Sequence, residues 1–137
     1  MGCRPLNVTL LILVALSATT VGCAPRKRVQ EKRENTYQMA LRSYSEVLSP
    51  GMTRNRVEDY LKAKNVEFSQ MCCVEDERTS YADLIKIGKE HAPWYCEHHN
   101  VYVAFQFAAV EPRKPYEARD SDVLKKITIF HWLEGCM

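Results

Sequence analysis

The spacing of apolar residues changes several times along this chain, and each spacing predicts a different element. Residues 8–21, VTLLILVALSATTV, carry no charge. Residues 24–35, APRKRVQEKREN, reverse that character, with a single branched apolar side chain among many charges. Such a stretch cannot bury a core, so it predicts a mobile tether or a frayed helix start. From residue 34 to residue 48 the apolar positions are Tyr37, Ala40, Leu41, Tyr44, Val47 and Leu48. They fall on one face of a helix. Ser49-Pro50-Gly51 stops that helix, because Pro cannot continue the ladder and Gly tolerates the turn. Thr53 then reads as the N-cap of a second helix, from Arg54 to about Lys64, with Val57, Tyr60 and Leu61 on its buried face.

Beyond the second helix the period becomes two. Val66, Phe68 and Gln70 alternate with Glu67 and Ser69, which predicts a strand reaching Cys72. Residues 73–80 form an acidic, polar connection, and residues 81–87 fit either a strand or a short helix. Val101, Val103, Phe105 and Phe107 alternate with Tyr102, Ala104, Gln106 and Ala108, the clearest strand in the chain. Residues 111–122, with Pro112 and Pro115, read as a loop. Residues 126–133 close the chain as a strand, with Ile127, Ile129 and His131 opposite Thr128, Phe130 and Trp132. The expected class is α+β, with two N-terminal helices packed on a three- to four-stranded antiparallel sheet. No internal repeat or low-complexity segment interrupts it.

The apolar run near the N-terminus decides the expected compartment. Residues 1–7 hold Arg4 and no acid, the apolar run comes next, and Gly22-Cys23 ends it. A positive start, a short apolar middle and a small residue before the cut are the parts of a secretory signal. An uncleaved anchor is the other reading. A spanning helix needs about 20 mostly apolar residues. The strongly apolar part here stops at Leu16, and Ser17, Thr19, Thr20, Gly22 and Pro25 dilute the remainder of the uncharged run. The expected organisation is therefore a signal peptide over residues 1–22, a flexible basic linker beginning at Cys23 over residues 23–35, and a single α+β domain over residues 36–137.

Thr20-Val21-Gly22-Cys23 resembles the bacterial lipobox, although Thr20 stands where an aliphatic residue is usual. That resemblance implies lipidation of Cys23, with diacylglycerol on its sulfur and an acyl group such as palmitate on its amino group. More than one acyl chain gives stable anchoring. Ordinary cleavage with Cys23 free is the competing reading. Myristoylation at Gly2 is rejected, because Leu6 stands where that motif wants Ser or Thr. Arg26, Lys27, Arg28, Lys32 and Arg33 lie just past Cys23. Each would add about 1 kcal/mol of attraction to an anionic membrane surface; a solvated spacer explains them equally well.

Composition and charge narrow the partners. The 137 residues are 46% hydrophobic and 26% charged, which suits one ordinary globular domain. Formal net charge is +2, and loss of the leader removes only Arg4. So small a charge gives no electrostatic case for nucleic acid. The expected partners are membrane lipid, through Cys23, and another envelope protein.

The run Leu48-Ser49-Pro50-Gly51-Met52-Thr53, leading into a helix with Val57 and Leu61 on one face, resembles the corresponding helix start of the SmpA/OmlA (BamE-like) family. That resemblance implies a BamE/β-lactamase-inhibitor-like fold. It also implies a small bacterial envelope lipoprotein facing the periplasm, a non-catalytic binding or scaffolding module in outer-membrane assembly or maintenance. The chain departs from the family after the second helix, where Lys62-Ala63-Lys64-Asn65 stands in place of the usual Gly-x-Pro. The cysteines are also foreign to the family pattern.

Those cysteines carry the remaining chemistry. Cys3 is expected to leave with the leader, and Cys23, if acylated, has no free thiol. Cys72, Cys73, Cys96 and Cys136 remain as disulfide candidates in an oxidising compartment. A bond between neighbours is strained, so one of Cys72 and Cys73 is expected to reach Cys96 and the other Cys136. Cys96-Glu97-His98-His99 also suggests a metal site, completed by His91 and Cys72 or Cys73. A disulfide and solvated histidines explain the same residues, so no metal or other cofactor is expected. The second functional reading is a periplasmic thiol-redox or metal-binding protein using Cys72, Cys73, Cys96, Cys136, His98 and His99. No Cys-x-x-Cys is present to support redox duty. Trp94-Tyr95 is expected to anchor the loop from beneath, with an exposed aromatic recognition site as the other reading. No catalytic residues are expected, since no serine sits in a nucleophile elbow and no Gly-rich loop cradles phosphate. A Cys96–His131 nucleophile is the one arrangement that only a fold can test.

Overall fold

The computed structural model describes residues 24–72, 74, 81–110 and 117–137. The expected signal peptide, Cys23, Cys73 and the loop prolines Pro112 and Pro115 lie outside the described residues. The chain divides into two compact units, Met1–Asn35 and Thr36–Met137.

In the first unit the described residues are helical, belonging to helix α1 (Ala24–Ser45). Of the two readings for residues 24–35, tether or helix start, the chain is helical from Ala24 onward. Its side chains are exposed from Arg26 to Thr36, so burial does not drive the helix. Lys, Arg, Glu and Gln are good helix formers, and Lys27 and Glu31 stand four apart with opposite charge. Pro25 falls in the first turn, where no intrahelical N–H bond is lost. No helix among the described residues is long and apolar enough to cross a membrane.

The second unit is an α+β domain. It contains the rest of α1, helix α2 (Arg54–Ala63) and strands β1 (Ser69–Cys72), β2 (Tyr81–Glu90), β3 (His98–Ala108) and β4 (Val123–Glu134). The strands form one antiparallel sheet in the order β1-β2-β3-β4. The ambiguous segment at 81–87 is strand. β1 is shorter than expected, and Val66 and Phe68 pack on the core from the connection before it.

Alternation along β3 sorts the sheet into two faces. One carries Val103, Phe105 and Phe107, with Ile85 and Leu124 beside them, under Leu48, Val57 and Leu61. Ala40 and Tyr44 of α1 join this core, and the Tyr44 ring meets Phe105 edge-on at 5.4 Å. Full burial of a side chain such as Leu61 stabilises by about 1.5–3 kcal/mol. The opposite face carries a smaller apolar cluster of Val74, Ala82, Leu84 and Ala104, flanked by Met71, Tyr102 and Phe130.

The turn between the helices is tied to β4. Gly51, at φ +91°, donates its N–H to the Leu124 carbonyl at 2.8 Å, and Leu124 N–H donates to the Met52 carbonyl at 2.7 Å. Thr53 occupies the N-cap position with extended backbone, but its side chain makes no capping bond. Loop carbonyls do that work instead. Arg54 N–H donates to Asp122 O at 2.7 Å, and Asn55 N–H donates to Asp120 O at 3.1 Å. These bonds satisfy two of the orphan donors at the start of α2.

Candidate functional site

The register of the β3–β4 hairpin builds one end of the sheet. His98 pairs with Glu134, Asn100 with Trp132 and Val101 with His131. Continued two positions past His98 and Glu134, the same register sets Cys96 opposite Cys136. Those two residues form a disulfide across a sequence separation of 40. The expected cross-pairing to Cys72 and Cys73 is therefore corrected. Cys72 pairs with Tyr81 at the far end of β2. Nine residues of strand, at about 3.3 Å each, put it nearly 30 Å from the Cys96 end. Cys72 is itself disulfide-bonded.

This pairing dissolves the sequence-based metal set. Disulfide sulfurs at Cys96 and Cys136 offer no thiolate to a metal, and Cys96 offers none to a Cys–His nucleophile. Strand alternation also separates His98 from His99. Trp94 is 89% exposed and Tyr95 is 41% exposed, so the pair does not anchor the loop from beneath. The two rings meet edge-on at 5.8 Å in solvent.

The same strand end gathers a different constellation. Glu90 of β2 pairs with His99 of β3, and His131 of β4 pairs with Val101, two residues along from His99. Paired residues share a face, as do residues two apart on a strand. All three side chains therefore project from the face that also holds the main core. His99 Nδ1 lies 3.8 Å from Glu90 Oε2, and His131 Nδ1 lies 3.9 Å from the same oxygen. The imidazole rings are 5.4 Å apart between centroids. Within the group, one ligand atom from each residue lies within 4.8 Å of the others. The His91 carbonyl, 3.4 Å from His99 Nδ1, can accept from that nitrogen. His131 and His99 were each visible in the sequence, but Glu90 was missed. The segment before it fitted a strand or a short helix only up to residue 87; its extension as strand to Glu90 comes from pairing with β3.

Two polar networks flank this end and the core. On the opposite face, Asn100 Nδ2 donates to Glu134 Oε1 at 2.8 Å, and the Tyr102 hydroxyl donates to the same oxygen at 3.0 Å. The Asn100 hydrogen bond above all holds the Glu134 carboxyl below its usual range. Beneath α2, fully buried Arg54 donates to Asp83 Oδ1 at 2.5 Å and to the Tyr81 carbonyl at 3.1 Å. Its Nε lies 3.8 Å from Asp122 Oδ2, and its guanidinium sits 4.0 Å above the Phe107 ring. Burial raises the Asp83 carboxyl to about 6, against the opposing pull of Arg54. Among the described residues, Asp83 Oδ2 meets no hydrogen-bond donor within bonding geometry.

The fold therefore defines an α+β domain with helices on one face of an antiparallel four-stranded sheet. No protein-family model, curated protein or solved structure matches the chain.

Proposed function

We propose that this protein is a non-catalytic binding or scaffolding module of the bacterial cell envelope, exported by residues 1–22 and held at the membrane through lipid on Cys23. The observation that carries the reading is the Cys96–Cys136 disulfide. Such bonds form and persist outside the reducing cytosol, in compartments such as the periplasm. Further support comes from element order, with two helices preceding an antiparallel meander, as the SmpA/OmlA (BamE-like) resemblance at Gly51-Met52-Thr53 implies. The sheet face away from the main core carries Phe130 and Trp132, half-buried and 5.6 Å apart between ring centroids. Aromatic residues in that setting suit a protein partner, since they supply large contact area at interfaces.

Cell fractionation tests the reading. The full chain is expected in the membrane fraction, and a Cys23→Ser chain in the soluble periplasmic fraction. Unchanged fractionation of the Cys23→Ser chain would remove the lipid tether from the account.

A further inference from the structure

We propose that Glu90, His99 and His131 form a binding site for a divalent transition-metal ion of the zinc class. This inference goes beyond the envelope reading and does not depend on it. Two imidazoles and one carboxylate make a donor set suited to zinc, copper or nickel rather than to calcium or magnesium, which prefer all-oxygen sites.

The spacing favours an ion over a direct bond. Glu90 Oε2 stands 3.8 Å from one imidazole nitrogen and 3.9 Å from the other. Both separations exceed hydrogen-bonding distance, which for N–H···O ends at about 3.2 Å. Ligand atoms around a tetrahedral zinc at about 2.1 Å lie about 3.4 Å apart. The two separations from Glu90 are within about half an ångström of that value, the three donor atoms all lie within 4.8 Å of one another, and rotation of the exposed His131 side chain can draw them onto such a sphere. The observed gap is thus close to the size of an ion shared by all three groups.

The scaffold is suited to hold that geometry. Each ligand projects from a different strand of one sheet, which positions ligands better than loops do. The Cys96–Cys136 disulfide ties the ends of β3 and β4 a few residues from His99 and His131. Glu90 and His99 are half-buried and His131 is exposed, so the site is open to water. Three protein ligands leave a fourth tetrahedral position for water or for a donor from a bound partner.

The test is a zinc titration of the full chain, with its disulfides intact and no histidine tag, against a chromophoric zinc chelator. One ion per chain is expected, with thermal unfolding shifted upward by zinc. His99→Ala, His131→Ala and Glu90→Gln are each expected to weaken binding by about tenfold or more, since even outer-shell losses cost about 10–100-fold. His98→Ala, on the opposite face, is expected to bind zinc as the parent does. His131 is exposed, so its replacement leaves the core intact, and unfolding of each variant without zinc checks that it is folded. A Kd weaker than about 0.1 mM for the parent, or parental affinity retained by either His99→Ala or His131→Ala, overturns the site and leaves an ordinary surface ion-pair cluster.

Discussion

Asp83→Asn is expected to remove a pH dependence of stability that the native chain carries between about pH 4 and pH 6. Asp83 is fully buried on β2, its Oδ1 faces Arg54, and its Oδ2 has no hydrogen-bond partner among the described residues. Arg54 also lies beside Asp122, so one guanidinium serves two carboxylates. Asp122 keeps its own support from the Arg119 N–H at 3.0 Å. Desolvation therefore prevails at Asp83, and its carboxyl is raised from 3.8 to about 6. The folded chain then holds a proton that the unfolded chain has released, so stability falls as pH rises through this window. A shift of about two pH units corresponds to about 3 kcal/mol. That contribution is fully present below about pH 4 and lost above about pH 6. Asn mimics the neutral carboxyl in shape and keeps an acceptor for Arg54. Urea unfolding of both chains at matched pH values reads the difference. The two are expected to be similar near pH 4, with the Asn variant gaining about 3 kcal/mol relative to the parent by pH 7. A parent that instead gains on the variant as pH rises would show that Arg54 holds Asp83 ionised, and the reasoning would be refuted.

Removing the hairpin disulfide with Cys96→Ser and Cys136→Ser together is expected to lower stability by about 4 kcal/mol in the loop-entropy treatment, for a separation of 40; denaturant unfolding measures it, and a loss near zero would contradict it. Gly88→Ala is expected to destabilise by about 1–3 kcal/mol, because a new Cβ would lie 2.7 Å from Tyr37 Cε1 and 2.8 Å from its hydroxyl. Tyr37 is buried and cannot swing clear without losing its own packing, so a shift in Tm is the readout and an unchanged Tm the contrary result. Leu61→Ala, at the centre of the α2 contact with the sheet, is expected to lose about 2–5 kcal/mol, again by denaturant unfolding; a loss below about 1 kcal/mol would place that contact outside the core.

The elements legible in the sequence were those with an unbroken period. Val101, Val103, Phe105 and Phe107 marked β3, and Val57 and Leu61 marked the buried face of α2. The helical start of α1 was legible only as one of two readings, because residues 24–35 have no apolar periodicity and only their propensity favours helix. Cysteine pairing was hidden for a different reason. Periodicity assigns faces, while register comes from which residues of two strands meet, and the β3–β4 register is what brings Cys96 to Cys136. The metal-ligand cluster fell between these cases. Alternation alone puts His99 with Val101 and His131 with Ile129, but Glu90 joins them only through its pairing with His99. Thr53 shows the same limit at a helix start. The residue type pointed to a side-chain cap, whereas the carbonyls of Asp120 and Asp122, distant in sequence, take the free N–H groups.

Export into an oxidising compartment is the claim on which the lipid anchor, the disulfides and the envelope role all rest. The intact mass of the protein purified from its native cells, without reductant, addresses it most directly. The expected species begins at Cys23, carries acyl mass at that residue, and gains about 2 Da for each disulfide on reduction. A species that retains residues 1–22, bears no acyl group and has every thiol reduced would contradict the account.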